Sequence, residues 1–168
     1  GEPLLRLVIK PLGDYTRTLG HALRVGDTAI VEGPYGRFHF EGSAQRQIWI
    51  GAGIGVTPFV ARMQALAAQP DGRSVDFFHV TAEVDERALA LLRADAQAAG
   101  VRLHLVVSRR GDTDSLFTGE RLRAQVPDWL QADVWFCGPA NFGDALQQDL
   151  VAHGLAPGHF QRELFEMR

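Results

Sequence analysis

The 168 residues carry a formal net charge of −3, with 46% hydrophobic and 22% charged side chains. That balance fits a soluble globular protein with a sizeable core and excludes the broad basic surface of a nucleic-acid binder. No apolar run approaches a membrane span and no signal-peptide pattern opens the chain, so no direct membrane insertion by these residues is expected, and the single cysteine, Cys137, fits a reducing compartment.

Residues 1 to about 44 show two short extended runs, "LLRLVIK" (4–10) and "TAIVEG" (28–33), which read as antiparallel strands. Between them "TRTLGHAL" (16–23) predicts a helical turn or two, with Leu19 and Leu23 four apart. Gly26-Asp27 and Gly33-Pro34 are turn signals. From residue 45 the texture changes to short apolar runs alternating with helical patterns. The strand candidates are "QIWIGA" (47–52), "VDFFHV" (75–80), "VRLHLVVS" (101–108), "DVWFCG" (133–138) and "HFQRELF" (159–165). The helix candidates span roughly 58–68, 85–99, 118–125 and 140–153, and the first puts Phe59, Val60, Met63 and Leu66 on one face. Such alternation predicts βαβ units, a parallel sheet and helices on both its faces. The expected domains are 1–44 and 45–168.

The stretch "WIGAGIGVTPF" (49–59) reads strand, glycine turn, helix, which is the context a phosphate-binding loop requires. It has no lysine, so it is not a P-loop, and Val56 breaks a G-x-G-x-x-G match begun at Gly51. Shifted by two, the pattern is Gly53-x-Gly55-x-x-Pro58, with Thr57 expected as N-cap and Pro58 in the first turn. The glycines would let the backbone approach a pyrophosphate, and the helix start would offer free N–H groups. Taken alone, the loop leans toward a nucleotide over the alternative, a tight strand-to-helix turn with no ligand.

Gly53-Ile54-Gly55-Val56-Thr57-Pro58 resembles the pyridine-nucleotide loop of the ferredoxin–NADP reductase superfamily, in which the nucleotide module follows a flavin-binding antiparallel barrel. The resemblance implies a five-stranded, doubly wound parallel α/β module of strand order 3-2-1-4-5 (residues 45–168), preceded in residues 1–44 by a remnant of the flavin-binding β-barrel. It carries further roles onto matching stretches. In "DVWFCGPANF" the family's Cys-Gly pair falls on Cys137 and Gly138, with Pro139 next and the thiol near the nicotinamide. Read locally, Cys137 is a small buried apolar residue, as most free cysteines are, and it is the loop at 53–58 that turns the reading to the site. "HFQRELFEMR" resembles the terminal segment of the ferric reductase and NADPH oxidase branch, implying that Glu163 and Phe165 lie near the nicotinamide and flavin rings. A solvated Glu and a core Phe on an edge strand remain the local alternative. "LGDYTRTL" (12–19) resembles the segment that grips the flavin pyrophosphate, with Tyr15 nearby and Thr16 as both helix cap and phosphate donor. "VEGPYGRF" (31–38) matches the hand-over turn at Gly33, Pro34 and Gly36. Ser108-Arg109, with Arg110 beside them, resembles the pair that holds the 2′-phosphate of NADPH, where a guanidinium fork suits the anion.

The implied activity is hydride transfer from NADPH to FAD, with single electrons passing on to a haem, ferric iron or oxygen. Cys137 and Glu163 are the expected catalytic residues, NADP(H) and FAD the cofactors, and no metal is expected, since the six histidines show no H-E-x-x-H spacing. The implied partner is a haem-bearing membrane region of the same full-length protein, which makes this chain its cytosolic domain. Gly1 stands where a methionine would begin a complete chain, and the family's flavin-ring motif belongs upstream of it. The chain is thus expected to be truncated, to bind FAD weakly or not at all, and to fail at turnover alone. Two alternatives are a reductase serving a ferredoxin or oxygenase partner, and a pyridine-nucleotide-binding regulatory module without catalysis. His79 and His104 are expected as hydrogen-bonded strand residues, and Trp129 and Trp135 as packing.

Overall fold

Five runs of strand-forming residues pair into one parallel sheet. The computed structural model describes residues 7, 9, 13–32, 38–42, 44–109 and 111–164. The chain divides into two units, Gly1–Gly36 and Arg37–Arg168.

In the first unit the helix α1 (Asp14–Ala22) is preceded by Gly13 as N-cap. Thr16 is not the cap. It sits three residues into the helix, where its hydroxyl accepts from the Gly13 N–H (3.0 Å) and donates to the Gly13 carbonyl (3.1 Å). The turn at Gly26-Asp27 is present, closed by the Arg24 N–H on the Asp27 carboxylate at 2.7 Å. Residues 28–32 form no strand, although their composition predicts one, and Ile30 and Val31 are exposed. A strand exists through its ladder, and among the described residues no strand pairs with this run. Most of the run 4–10 lies outside the described residues.

In the second unit the strands are β1 (Arg46–Ala52), β2 (Ser74–Thr81), β3 (Arg102–Val107), β4 (Ala132–Gly138) and β5 (Phe160–Leu164). They are all parallel and lie in the order β3-β2-β1-β4-β5, as expected. The helices are α2 (Thr57–Ala68), α3 (Glu86–Ala98), α4 (Gly119–Gln125) and α5 (Ala140–Ala152). Each predicted helix in this unit is found to within a residue or two. No helix among the described residues is long and apolar enough to cross a membrane.

The central strands β1 and β4 are buried almost throughout, because helices cover both faces of the sheet. On one face Phe59 and Met63 of α2 meet Phe77 and Trp49, with the Phe59 and Phe77 rings 5.0 Å apart. Phe38 and Phe40 close this core, at 5.3 Å from Trp135 and 5.2 Å from Trp49. Phe40 has φ +57°, a left-handed conformation rare for a bulky residue. Its carbonyl accepts from Gln47 (3.3 Å) and Arg73 (3.1 Å), and its ring is 5% exposed, which together hold it there. On the other face Ile48, Ile50, Phe78 and Phe136 pack with Leu122, Leu146 and Leu150. Trp129 and Trp135 are buried packing residues, as expected.

Polar groups gather at the amino ends of the strands. The buried Asp76 carboxylate accepts from Arg46, from Arg102 (2.8 and 3.0 Å) and from His104 Nε2 (2.6 Å). Arg46 also reaches Asp128 at 2.9 Å. This network braces β1, β2 and β3 at the end away from the glycine turn.

Candidate nucleotide site

The carboxyl ends of the strands bring the predicted residues together. In open α/β sheets this is the edge where ligands bind. Gly53, Gly55, Thr57 and Pro58 follow β1, Ser108 and Arg109 follow β3, Cys137 and Gly138 end β4, and Pro139 follows it. Glu163 lies near the end of β5. Register places Gly51 of β1 opposite Cys137 and Cys137 opposite Glu163, so one row across the sheet carries both expected catalytic side chains on one face. Tyr15 and Thr16 lie on α1 in the first unit. Gly33, Gly36, Phe165 and Arg110 lie outside the described residues.

The turn itself differs from expectation in form. Gly53–Val56 is a 3-10 turn running directly into α2, so Thr57 is the first helical residue and not the cap. Both the N–H and the hydroxyl of Thr57 donate to the Ile54 carbonyl, the hydroxyl at 3.2 Å. Its donors are therefore used inside the turn. The N–H groups open to a ligand are those at the start of the turn, which have no acceptor one turn earlier.

The two glycines answer to different constraints. Gly53 has φ +56°, and a side chain there would meet nothing within 4 Å. It is a left-handed corner with open space beside it, which fits close approach by a ligand. Gly55 faces protein instead. A Cβ at that position would overlap the Cys137 carbonyl oxygen and lie 2.6 Å from its carbon. The turn is seated against the end of β4, which ties the glycine turn to the Cys137 corner.

Two helix starts meet at this edge, and neither is closed by its own side chains. α3 is capped by Asp85, whose carboxylate accepts from the N–H groups of Arg87 (2.9 Å) and Ala88 (3.1 Å). α4 is capped by Thr118, which accepts from Arg121 N–H at 3.2 Å. α2, entered from Val56, and α5, entered from Pro139, have no side-chain cap. Their positive dipole ends are thus available to an anion.

Cys137 is 1% exposed. Burial, and then the neighbouring Glu163 carboxylate, push its thiol up to about 12. The thiol is therefore neutral at physiological pH and is not a nucleophile. Native chain treated with iodoacetamide at about pH 8 is expected to stay unalkylated, with the one thiol appearing on unfolding. Rapid native labelling would contradict this burial. Glu163→Gln is expected to bring the thiol part of the way back, burial alone keeping it raised.

Ser108 continues the β3 ladder by donating its N–H to the Thr81 carbonyl at 2.8 Å. Arg109 is exposed, and its backbone is held by Ser115, whose Oγ accepts from Arg109 N–H at 2.7 Å. The sequence gives no sign of Ser115, because the contact closes a turn six residues long with no motif. Beside it a cleft of about 310 Å³ runs along the outer edge of β3, lined by His104 to Val107, Ser115, Arg121 and Gln125.

No family model matches the chain. Glycine betaine monooxygenase reductase subunit of Chromohalobacter salexigens is 26% identical over 176 residues, covering 92% of this chain and 45% of the relative. Flavohemoprotein of Bordetella pertussis is 28% identical over 180 residues, covering 96% of this chain and 44% of the relative. Among solved structures, Amycolatopsis cytochrome P450 reductase GcoB superposes with a TM-score of 0.62 at 28% identity, covering 79% of this chain and 42% of that one. The chain belongs to the ferredoxin–NADP reductase-like superfamily. It spans less than half the length of these two curated relatives. One of the two is an oxygenase reductase subunit and the other a flavohemoprotein; neither is named a ferric reductase or an NADPH oxidase.

Proposed function

We propose that this chain is the pyridine-nucleotide-binding part of an NAD(P)H-dependent flavin reductase that delivers electrons to a haem or oxygenase partner. The observation that carries the reading is the row Gly51–Cys137–Glu163 beside an open glycine turn and two uncapped helix starts. The residues fit a dinucleotide: amides at Gly53–Val56 for the diphosphate, Ser108 and Arg109 for a 2′-phosphate, and the Cys137 and Glu163 corner for the nicotinamide. Bound together, NADPH and FAD supply a hydride donor and an acceptor able to release electrons singly. The chain's own part is positional. The neutral Cys137 thiol gives the ring a surface without charge, and the Glu163 carboxylate accepts from the carboxamide or holds a proton at its oxygen. Gly138 and Pro139 turn the backbone at the same corner. The segment before residue 45, with Tyr15 and Thr16 on α1 and Gly33 and Gly36 after it, is the contribution to a flavin-binding barrel. Exposed Ile30 and Val31, strand-type residues without a ladder, support that assignment. Phe165 is the residue assigned to the flavin ring.

The flavohemoprotein and oxygenase-reductase relatives favour a haem or oxygenase acceptor. The ferric reductase and NADPH oxidase branch, with a membrane haem region in the same protein and this chain as its cytosolic domain, is the second reading. It is favoured by Glu163 within the terminal "HFQRELF" segment.

The test is anaerobic mixing of the chain with FAD and then NADPH or NADH, with flavin absorbance as readout, alongside direct titration with NADP+ and NAD+. Binding of NADP+ is expected whether or not FAD is retained, and failure to bind either nucleotide overturns the reading. Ser108→Ala with Arg109→Ala is expected to weaken NADP+ about tenfold or more while leaving NAD+ unchanged, since charge-assisted hydrogen bonds contribute roughly 1.5–3 kcal/mol. Equal affinities before and after substitution would remove the 2′-phosphate assignment.

A further inference from the structure

His79 is the third residue from the end of β2, and its register partner is Gly51. Side chains alternate across a strand, so His79 shares a face with Phe77, which packs on Phe59 of α2. The Gly53–Val56 turn packs on this side against β1, β2 and β4. The imidazole is partly buried, and its Nδ1 lies 3.3 Å from the Gly51 carbonyl oxygen. A carbonyl only accepts, so Nδ1 carries the hydrogen and Nε2 keeps its lone pair in the neutral ring. Burial lowers the His79 pKa and the Gly51 hydrogen bond only partly offsets this, so the ring is neutral at physiological pH.

Gly51 is gripped from two directions. A Cβ there would come 3.1 Å from the Phe59 ring and 3.1 Å from Val56 Cα, so the turn and α2 sit directly upon it. The imidazole holds its carbonyl. Two residues later the chain enters Gly53.

We propose that His79 is a positioning residue for the pyridine-nucleotide turn, its Nδ1–H holding the Gly51 carbonyl and so fixing where β1 hands over to the Gly53–Val56 amides. The inference rests on the nucleotide reading of that turn. In this role His79 has no contact with the reacting atoms. It controls the direction in which the turn presents its N–H groups.

Two measurements test it. Nitrogen-15 NMR of the apo chain is expected to show His79 with a protonated, pyrrole-type Nδ1 and an unprotonated, pyridine-type Nε2. The opposite tautomer overturns the proposal, and this readout does not depend on any variant folding. Titration with NADP+ then compares His79→Leu, which removes the donor, with His79→Asn, whose amide nitrogen takes the place of Nδ1. The Leu variant is expected to bind about tenfold more weakly and the Asn variant within about threefold of wild type, the range one hydrogen bond can move. Unchanged affinity in the Leu variant, or equal loss in both, overturns the positioning role while wild-type binding keeps the nucleotide reading intact. Absence of binding by wild type overturns both.

Discussion

Asp76→Asn is expected to destabilise the chain by about 3–5 kcal/mol at neutral pH, the cost of removing one partner from a buried ion cluster. For a domain of this size that corresponds to a loss of roughly 6–20 °C in Tm. The Asp76 side chain is 4% exposed and receives Arg46, Arg102 and His104. Asn keeps the shape and loses the charge, leaving the buried Arg46 guanidinium facing a neutral amide. The effect must also depend on pH in a defined direction. Burial works to raise the Asp76 pKa, but hydrogen bonds from His104, Arg102 and Arg46 outweigh it and hold the carboxyl well below the usual carboxylate range. A depressed folded-state pKa contributes stability that is fully present above the unfolded value, about 4, and is lost as pH falls through the folded one. The gap between wild type and Asp76→Asn is therefore widest at neutral pH and narrows in acid. Denaturant unfolding at about pH 7 and about pH 3 reads this directly. A neutral-pH loss under about 1 kcal/mol, or a gap undiminished in acid, would show that the cluster does not brace the sheet as described.

The sheet was legible in the sequence because apolar runs and helical periods alternate with few interruptions from residue 45 onward. Each turn there is marked by glycine, proline or a capping residue such as Asp85 or Thr118. The Asp76 cluster was not legible, since Arg46, Arg102 and His104 each lie 26 to 30 residues from Asp76 and only strand register brings them to it. The wedge of Phe38 and Phe40 was also missed. Two phenylalanines in "GRFHF" look like part of an extended run, and nothing in the pattern signals a left-handed backbone at Phe40. At the site, the residue types were readable and their local geometry was not. Thr57 precedes a proline as a cap would, yet the 3-10 turn begins four residues earlier and makes Thr57 helical. Thr16 looks like a cap, but it lies in the first turn, and Gly13 takes the cap place with Thr16 reaching back to its N–H and carbonyl. The strand expected at 28–33 is not found over its described residues 28–32, for a third reason. Strand propensity describes fit to a neighbouring strand, and a local pattern cannot say whether that neighbour is present.

The two glycines of the turn are expected to separate under substitution. Gly55→Ala places a methyl group into the Cys137 carbonyl, a backbone group at the end of a strand paired on both sides. A flexible side chain could step aside, but this carbonyl cannot without unseating β4 or lifting the turn. A loss of about 3 kcal/mol is expected, at the upper end of overpacking costs, together with loss of pyridine-nucleotide binding as the turn moves off the sheet. Gly53→Ala meets no atom and pays only for a left-handed backbone at φ +56°, about 1–2 kcal/mol. Its methyl group nonetheless enters the open space proposed for the diphosphate, so NADP+ affinity should fall more than stability does. Thermal unfolding and NADP+ titration on both variants give four numbers whose order is fixed in advance. Gly55→Ala is the larger in stability and loses binding along with it, whereas Gly53→Ala loses more in binding than in stability. If Gly53→Ala binds NADP+ as wild type does while losing only the backbone cost, the space beside Gly53 is not where the diphosphate lies. The two glycines would then be a strand-to-helix corner and nothing more.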